Sequence, residues 1–223
     1  MHLKLNSPRV RENPGFYTPF AWPTGEFQNL PAIETRDDLG FLNLLDHRRT
    51  KRTFAALSAE LLSQFLWRSA RTQGIAESAY GFDLEQRPTP SAGAIHPIHL
   101  LIHRPGVDEW SRYDGRQHGL INVPGSAKLF HELAEQCDRT LFAAEATRVL
   151  LVAEPGKTGA KYNDGESLVW RDSGALLAVM ALVSEALGCT FCPLGITGEP
   201  WAGHVAPAGI LTGVGMALIG GPA

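Results

Sequence analysis

Cysteine is scarce in this chain: three residues, Cys137, Cys189 and Cys192, in a total of 223. The number is odd, and the opening stretch from Met1 to Pro14 is polar and broken by proline, unlike a secretory leader, so no disulfide framework is expected. A chain of this length buries enough surface to fold without one. Charge is also sparse. Asp, Glu, Lys and Arg make up 19%, against about a quarter in ordinary domains, and a subunit interface would account for part of the shortfall. The net charge of −3 argues against a general nucleic-acid binder. No uninterrupted apolar run reaches the length of a bilayer span. Internal repeats and low-complexity tracts are lacking too. These absences together predict a soluble, cytoplasmic protein with neither nucleic acid nor membrane as partner.

Proline and aromatic side chains are plentiful at the start. Pro8, Pro14, Pro19, Pro23 and Pro31 exclude a long helix there, while Phe16, Tyr17, Phe20, Trp22 and Phe27 give more apolar surface than a disordered tail carries. Residues 1–36 therefore predict an irregular arm packed on the body or on a partner subunit, and residues 37–223 the main domain. Asp37 and Asp38 would sit in the first turn of a short helix. Ser58 would cap a second helix that presents Leu61, Leu62, Phe65, Leu66 and Ala70. Residues 74–97 and 155–167 predict loops, and 126–146 a mostly helical stretch. Strands are expected at His99–His103, Trp110–Tyr113 and Arg148–Glu154, the last buried because its apolar run is continuous, with a final strand near Gly213–Ile219. Asp172–Leu187 predicts a helix apolar on nearly all sides, hence in a core or an interface, and stopped by Gly188. Helices and strands do not alternate strictly, which gives an α+β class.

Three segments could carry chemistry. Arg48, Arg49, Thr50, Lys51 and Arg52 place four cations in five residues. Guanidinium forks and a hydroxyl suit a phosphate; a solvated basic turn is the plainer reading. Pro90, Ser91, Ala92, Gly93 and Ala94 are small enough for a backbone to approach a flat ring, and Gly93 permits a backbone angle that other residues resist. Lys161 and Tyr162 pair a cation with a proton-handling hydroxyl, although such pairs are common on surfaces. Cys189 and Cys192 form a lone C-x-x-C, for which zinc would need two more ligands, so burial as small apolar groups is expected. His96, His99 and His103 lack a common-face spacing, and no metal is expected.

In order and spacing these segments resemble the nitroreductase superfamily, and its SagB-type dehydrogenase branch in particular. Arg48, Thr50 and Arg52, followed by Phe54, look like the FMN-contacting motif. Pro90 to Ala94 with His96 and Pro97 is similar to the branch's Pro-Ser-Ala-Gly-Ala-x-x-Pro segment, and Lys161–Tyr162 to its catalytic pair. The resemblance implies a central, mostly antiparallel sheet flanked by helices, and a homodimer with the long apolar helix at its interface. It implies FMN held by Arg48, Arg49, Thr50 and Arg52 at the phosphate and ribityl chain. Pro90, Ser91, Ala92 and Gly93 would lie at the ring, with Leu194, Gly195 and Ile196 nearby. The last nine residues hold no cation, so a C-terminal phosphate contact found in many relatives has to come from elsewhere. The implied activity is oxidation of an azoline-like heterocycle in a small or peptidic substrate. Two alternatives stand beside it. One is an NAD(P)H-dependent reductase of nitroaromatics or quinones; the other is a non-catalytic flavin-binding or interaction protein on the same fold.

Overall fold

A computed structural model describes residues 6–33 and 40–222. Asp37 and Asp38 lie outside them. The strands are β1 (Arg9–Val10), β2 (Phe27–Asn29), β3 (Gly74–Ala76), β4 (Leu84–Gln86), β5 (Ile98–His103), β6 (Ser111–Asp114), β7 (Gly119–Asn122), β8 (Thr147–Ala153), β9 (Tyr162–Asn163), β10 (Thr190–Leu194) and β11 (Thr212–Gly220). The helices are α1 (Phe41–His47), α2 (Ala59–Ala70), α3 (Ser126–Leu129), α4 (His131–Thr140), α5 (Pro155–Lys161) and α6 (Glu166–Ala186). Seven strands form one sheet in the order β10-β11-β8-β5-β6-β7-β2, and every neighbouring pair is antiparallel. The α+β class and the antiparallel sheet flanked by helices are as expected.

Side-chain alternation divides the core in two. Ile98, Leu100 and Ile102 of β5 face α2 and α6 with Val149, Leu151 and Ala153 of β8. Leu101, Leu150 and Val152 face the other way, onto Trp110, Phe130 and Leu133. Strand β8 lies between β11 and β5, so both of its faces are covered and its apolar run is unbroken. Helix α2 starts where expected: the Ser58 Oγ accepts a hydrogen bond from Leu61 N–H at 3.2 Å. Helix α6 buries Val169, Leu176 and Met180, and Gly188 at φ +70° closes its end.

Several boundaries differ from expectation. Residues 155–161, expected as loop, form α5 with Pro155 in its first turn. Two glycines in seven residues hide that helix from propensity. Gly156 is required by packing, since a Cβ there would lie 2.1 Å from the Tyr17 ring. Strand β10 was not expected because it contains Pro193. As an edge strand bonded to β11 alone, it tolerates the missing N–H. The presumed loop 74–97 contains the β3–β4 hairpin and a helical turn at Ala92–Ala94. The arm is not wholly irregular: β2 extends the sheet and β1 pairs with β9. Helix α6 begins at Glu166, six residues before the expected start, and by length and composition it could cross a bilayer. Its contacts with α2, β5, β10 and β11 make it a core helix instead. One face of it remains open, with Trp170, Gly174 and Ala178 exposed.

Gly213 tests the packing around the last strand. A Cβ there would lie 2.5 Å from the Thr197 carbonyl oxygen and 2.8 Å from the Gly198 carbonyl carbon, both backbone atoms that cannot swing away. Gly213→Ala is expected to destabilise the fold by about 1–3 kcal/mol, read as a lower urea midpoint at unchanged slope.

Candidate functional site

Two of the three segments meet. Gly93 takes φ +66°, and a Cβ built on it would lie 2.7 Å from Lys161 Nζ and 2.9 Å from Tyr162 Oη. The turn is held in an unusual shape, for Ala94 (φ 58°) and His96 (φ 46°) are left-handed as well. Such a cluster of strained angles persists only where surrounding structure fixes it. Here the fixing group is Asp172 on α6. Its Oδ2 accepts from Ser91 Oγ at 2.5 Å and its Oδ1 from Ala92 N–H at 3.1 Å. Ser91 Oγ in turn accepts from His96 N–H at 3.0 Å. Burial pushes the Asp172 carboxyl above the usual carboxylate range, against those two donors and Arg171. Sequence reasoning missed this residue; its one visible signal is an acid inside an otherwise apolar helix.

The Lys161–Tyr162 pair is not in a loop. Lys161 ends α5 and Tyr162 opens β9, which is clamped by the arm through Arg11 N–H to Lys161 O (2.9 Å) and through the β1 pairing. Lys161 Nζ also lies 5.8 Å from the Tyr80 ring centre and 5.7 Å from that of Tyr162. Pro90 and Ser91 floor a cleft of about 500 Å³ whose far wall is the β3–β4 hairpin, with Glu85, Arg87 and His96 among its lining. Burial alone would raise the Glu85 carboxyl. The Arg87 charge and hydrogen bonds from Arg116, Arg87 and Thr72 outweigh it and bring the pKa to about 2. His96 is pushed down to about 4, first by burial and then by Arg87, so its ring is neutral at pH 7.

The basic turn stands elsewhere. Lys51 N–H donates to Phe191 O at 3.3 Å, and its ammonium pairs with Glu185 at 3.5 Å, near the C-terminal end of α6. From Asp172 to Glu185 the distance along the helix is about 20 Å at 1.5 Å per residue. Arg49 turns back on its own helix, donating to Asp46 O and Arg48 O at 2.8 Å each. Arg48 and Arg52 have no acidic partner among the described residues, and Thr50 is exposed. Leu194, Gly195 and Ile196 follow β10 away from that turn. Leu194 pairs with Met216, beside Gly215, which lies against Ser173 of α6. Gly195 faces open space and Ile196 is buried in the second core. The side chains of Cys189 and Cys192 are buried in the body of the domain.

Comparison with solved structures decides the fold. A protein from Ralstonia eutropha JMP134 assigned as a nitroreductase superposes with a TM-score of 0.68 at 20% identity, over 96% of this chain and 99% of that one. The chain has the nitroreductase fold. A second example, from Desulfovibrio desulfuricans and in complex with FMN, matches at TM-score 0.54 and 18% identity, over 84% of this chain and 88% of that one. The Escherichia coli microcin synthetase McbBCD complex, with truncated pro-MccB17 bound, contains a chain with the same fold (TM-score 0.57, 14% identity, 86% of this chain and 76% of that one). No family model and no curated protein matches the sequence.

The residues present suit the two chemical parts of FMN, its flat ring and its phosphate, although in one chain they stand well apart. Gly93 offers a surface without a side chain against a cation and a hydroxyl, and Arg48 and Arg52 are guanidiniums with no acidic partner among the described residues. Glu85 supplies a check on the electrostatics of the cleft wall. Its folded pKa is depressed from 4.5 to about 2, so its stabilisation is complete above the unfolded value and fades as pH falls from about 4.5 to 2. Wild type is expected to lose on the order of 2 kcal/mol more than Glu85→Gln over that window, measured by urea unfolding at pH 6, 4 and 2.5.

Proposed function

We propose that the chain is an FMN-dependent oxidoreductase that works as a homodimer, and that it is a dehydrogenase of the SagB type. The observation that carries this reading is the meeting of Gly93 with Lys161 and Tyr162. It joins a ring-accepting backbone surface to a proton-handling pair, two features that are 68 residues apart in the chain. When bound, FMN supplies the hydride acceptor; the protein contributes position and charge. Arg48 and Arg52 would hold its phosphate, with Thr50 beside them. Pro90, Ser91, Ala92 and Gly93 would lie along the ring. Lys161 stabilises negative charge that develops on the substrate, and the Tyr162 hydroxyl assists removal of a ring proton. An azoline-like heterocycle in a small or peptidic substrate fits a cleft of about 500 Å³ that opens beside Pro90 and Ser91.

The case for a dimer rests on distance. The basic turn and the Gly93 turn flank opposite ends of α6, too far apart for one protomer to grip both ends of one FMN. A second copy crossing α6 in the opposite sense would bring one protomer's turn beside its partner's loop. The open face of α6 at Trp170, Gly174 and Ala178, together with exposed Phe41 and Leu42 on α1, is apolar and suited to such a crossing. Small residues there allow close approach. A cytoplasmic location agrees with three buried cysteines that form no disulfide.

The visible spectrum of the purified protein tests the cofactor: flavin bands and release of FMN on denaturation are expected. Neutralising Arg48 and Arg52 together is expected to strip the flavin, and retention at the wild-type level would remove the assignment. Lys161→Ala and Tyr162→Phe are expected to keep FMN and lose turnover about 100-fold or more. The related solved proteins assigned as nitroreductases keep a second reading in view, an NAD(P)H-dependent reductase of nitroaromatics or quinones. Rapid bleaching of the flavin by NADPH would select it over the dehydrogenase.

A further inference from the structure

On the sheet face opposite α6, the arm covers a second cleft, of about 460 Å³. Its floor is Arg112 on β6. This guanidinium is largely buried and makes no hydrogen bond or ion pair among the described residues; the Trp22 ring lies 5.8 Å away, and the Asp114 charge acts on it from a distance. The neighbouring carboxylate, Asp114, is occupied by the β6–β7 turn, accepting from Arg116 N–H at 2.9 Å and Gln117 N–H at 3.0 Å. Arg112 Nε is a buried donor without an acceptor, and Trp22 Nε1, in the same cleft, is another. Two buried donors without acceptors are costly, and natural interiors rarely leave them so.

The acid within reach does not answer them. Glu154 is fully buried and already engaged. It accepts from Phe20 N–H, lies 3.0 Å from His99 Nε2 and takes a further bond from the Tyr17 hydroxyl. Burial opposes its ionisation, but those donors prevail and hold it as a carboxylate. Burial drives the His99 ring down, against the hydrogen bond and charge of Glu154. Lys157 stands on the cleft wall as well. Arg112 and Lys157 thus line the cleft together with a single carboxylate, Glu154, whose oxygens are already engaged. Phe20, Phe27, Ile121 and the Trp22 ring give the cleft an apolar wall, with Thr24 and Gln117 as its further polar side chains.

We propose that the cleft between the arm and the Arg112 face of the sheet binds a small monocarboxylate with a flat apolar body, its two oxygens taken by the Arg112 guanidinium and the Trp22 indole N–H. This site is separate from the flavin reading, because its lining shares no residue with the cleft beside Pro90 and Ser91. Closing the arm over such a ligand would tie residues 19–27 to the body through the ligand itself.

The test is calorimetric titration of the purified full chain, with whatever flavin it holds, against benzoate, benzamide and inorganic phosphate. Benzoate is expected to saturate one site per chain, with benzamide and phosphate at least about ten-fold weaker. Arg112→Gln is expected to abolish benzoate binding, Arg112→Lys to weaken it, and Trp22→Phe to weaken it about three- to ten-fold. All three variants are expected to keep the wild-type flavin content. Should Arg112→Gln fail to fold, Arg112→Lys and Trp22→Phe carry the decision. No saturable benzoate site, equal binding of benzamide, preference for phosphate, or binding lost in Lys161→Ala but kept in the Arg112 and Trp22 variants would each overturn the proposal.

Discussion

The site depends on one buried carboxylate. Asp172 projects from the sheet-packed side of α6 and takes both the Ser91 hydroxyl and the Ala92 N–H. Without it nothing in the helix would hold the 91–96 turn, whose residues Gly93, Ala94 and His96 all sit at positive φ. Only then does Gly93, which lacks a Cβ, come against Lys161 and Tyr162. An acid buried in this way is unfavourable to the helix alone, and its raised pKa records that. Charge-assisted hydrogen bonds to two donors offset the cost and turn a helix position into a fixed reference for a loop.

The pair at 161–162 is held from the opposite side. The arm runs along α5 and β9, with Arg11 N–H on Lys161 O, Gly15 N–H on Ala160 O and Tyr17 packed on Gly156. Further along, Phe20 N–H reaches Glu154. The arm thus has two consequences from one course over the surface: it fixes the end of α5, and it roofs the cleft above Arg112. A segment expected only as an irregular arm packed on the body or on a partner subunit thus braces α5 and lines one cleft.

Where burial pattern and end signals agree, the sequence was legible. Strand β8 showed itself by an unbroken apolar run, α2 by Ser58, and the end of α6 by Gly188. The Pro90–Gly93 and Lys161–Tyr162 segments were legible as residue types suited to chemistry. What was not legible depended on partners remote in the chain. Helix α5 carries two glycines that a local reading scores against it, one of them made necessary by Tyr17. Strand β10 carries a proline that only an edge position permits. The role of Asp172 needed the knowledge that Ser91 lies beside it, and nothing near residue 172 announces that.

Unpaired cations have different meanings in different places. Arg48 and Arg52 stand in or near solvent, where water satisfies a guanidinium and the lack of an acid costs little; they are available for a phosphate, but nothing compels one. Arg112 lies in a partly desolvated cleft, where water is a poorer substitute and the missing acceptors carry a free-energy cost. By sequence the first pair draws attention, because four cations crowd into five residues, while Arg112 sits in an ordinary strand among alternating side chains. The physics reverses that order. Clustering marks where an anion is welcome, and a buried donor without an acceptor marks where one would contribute more.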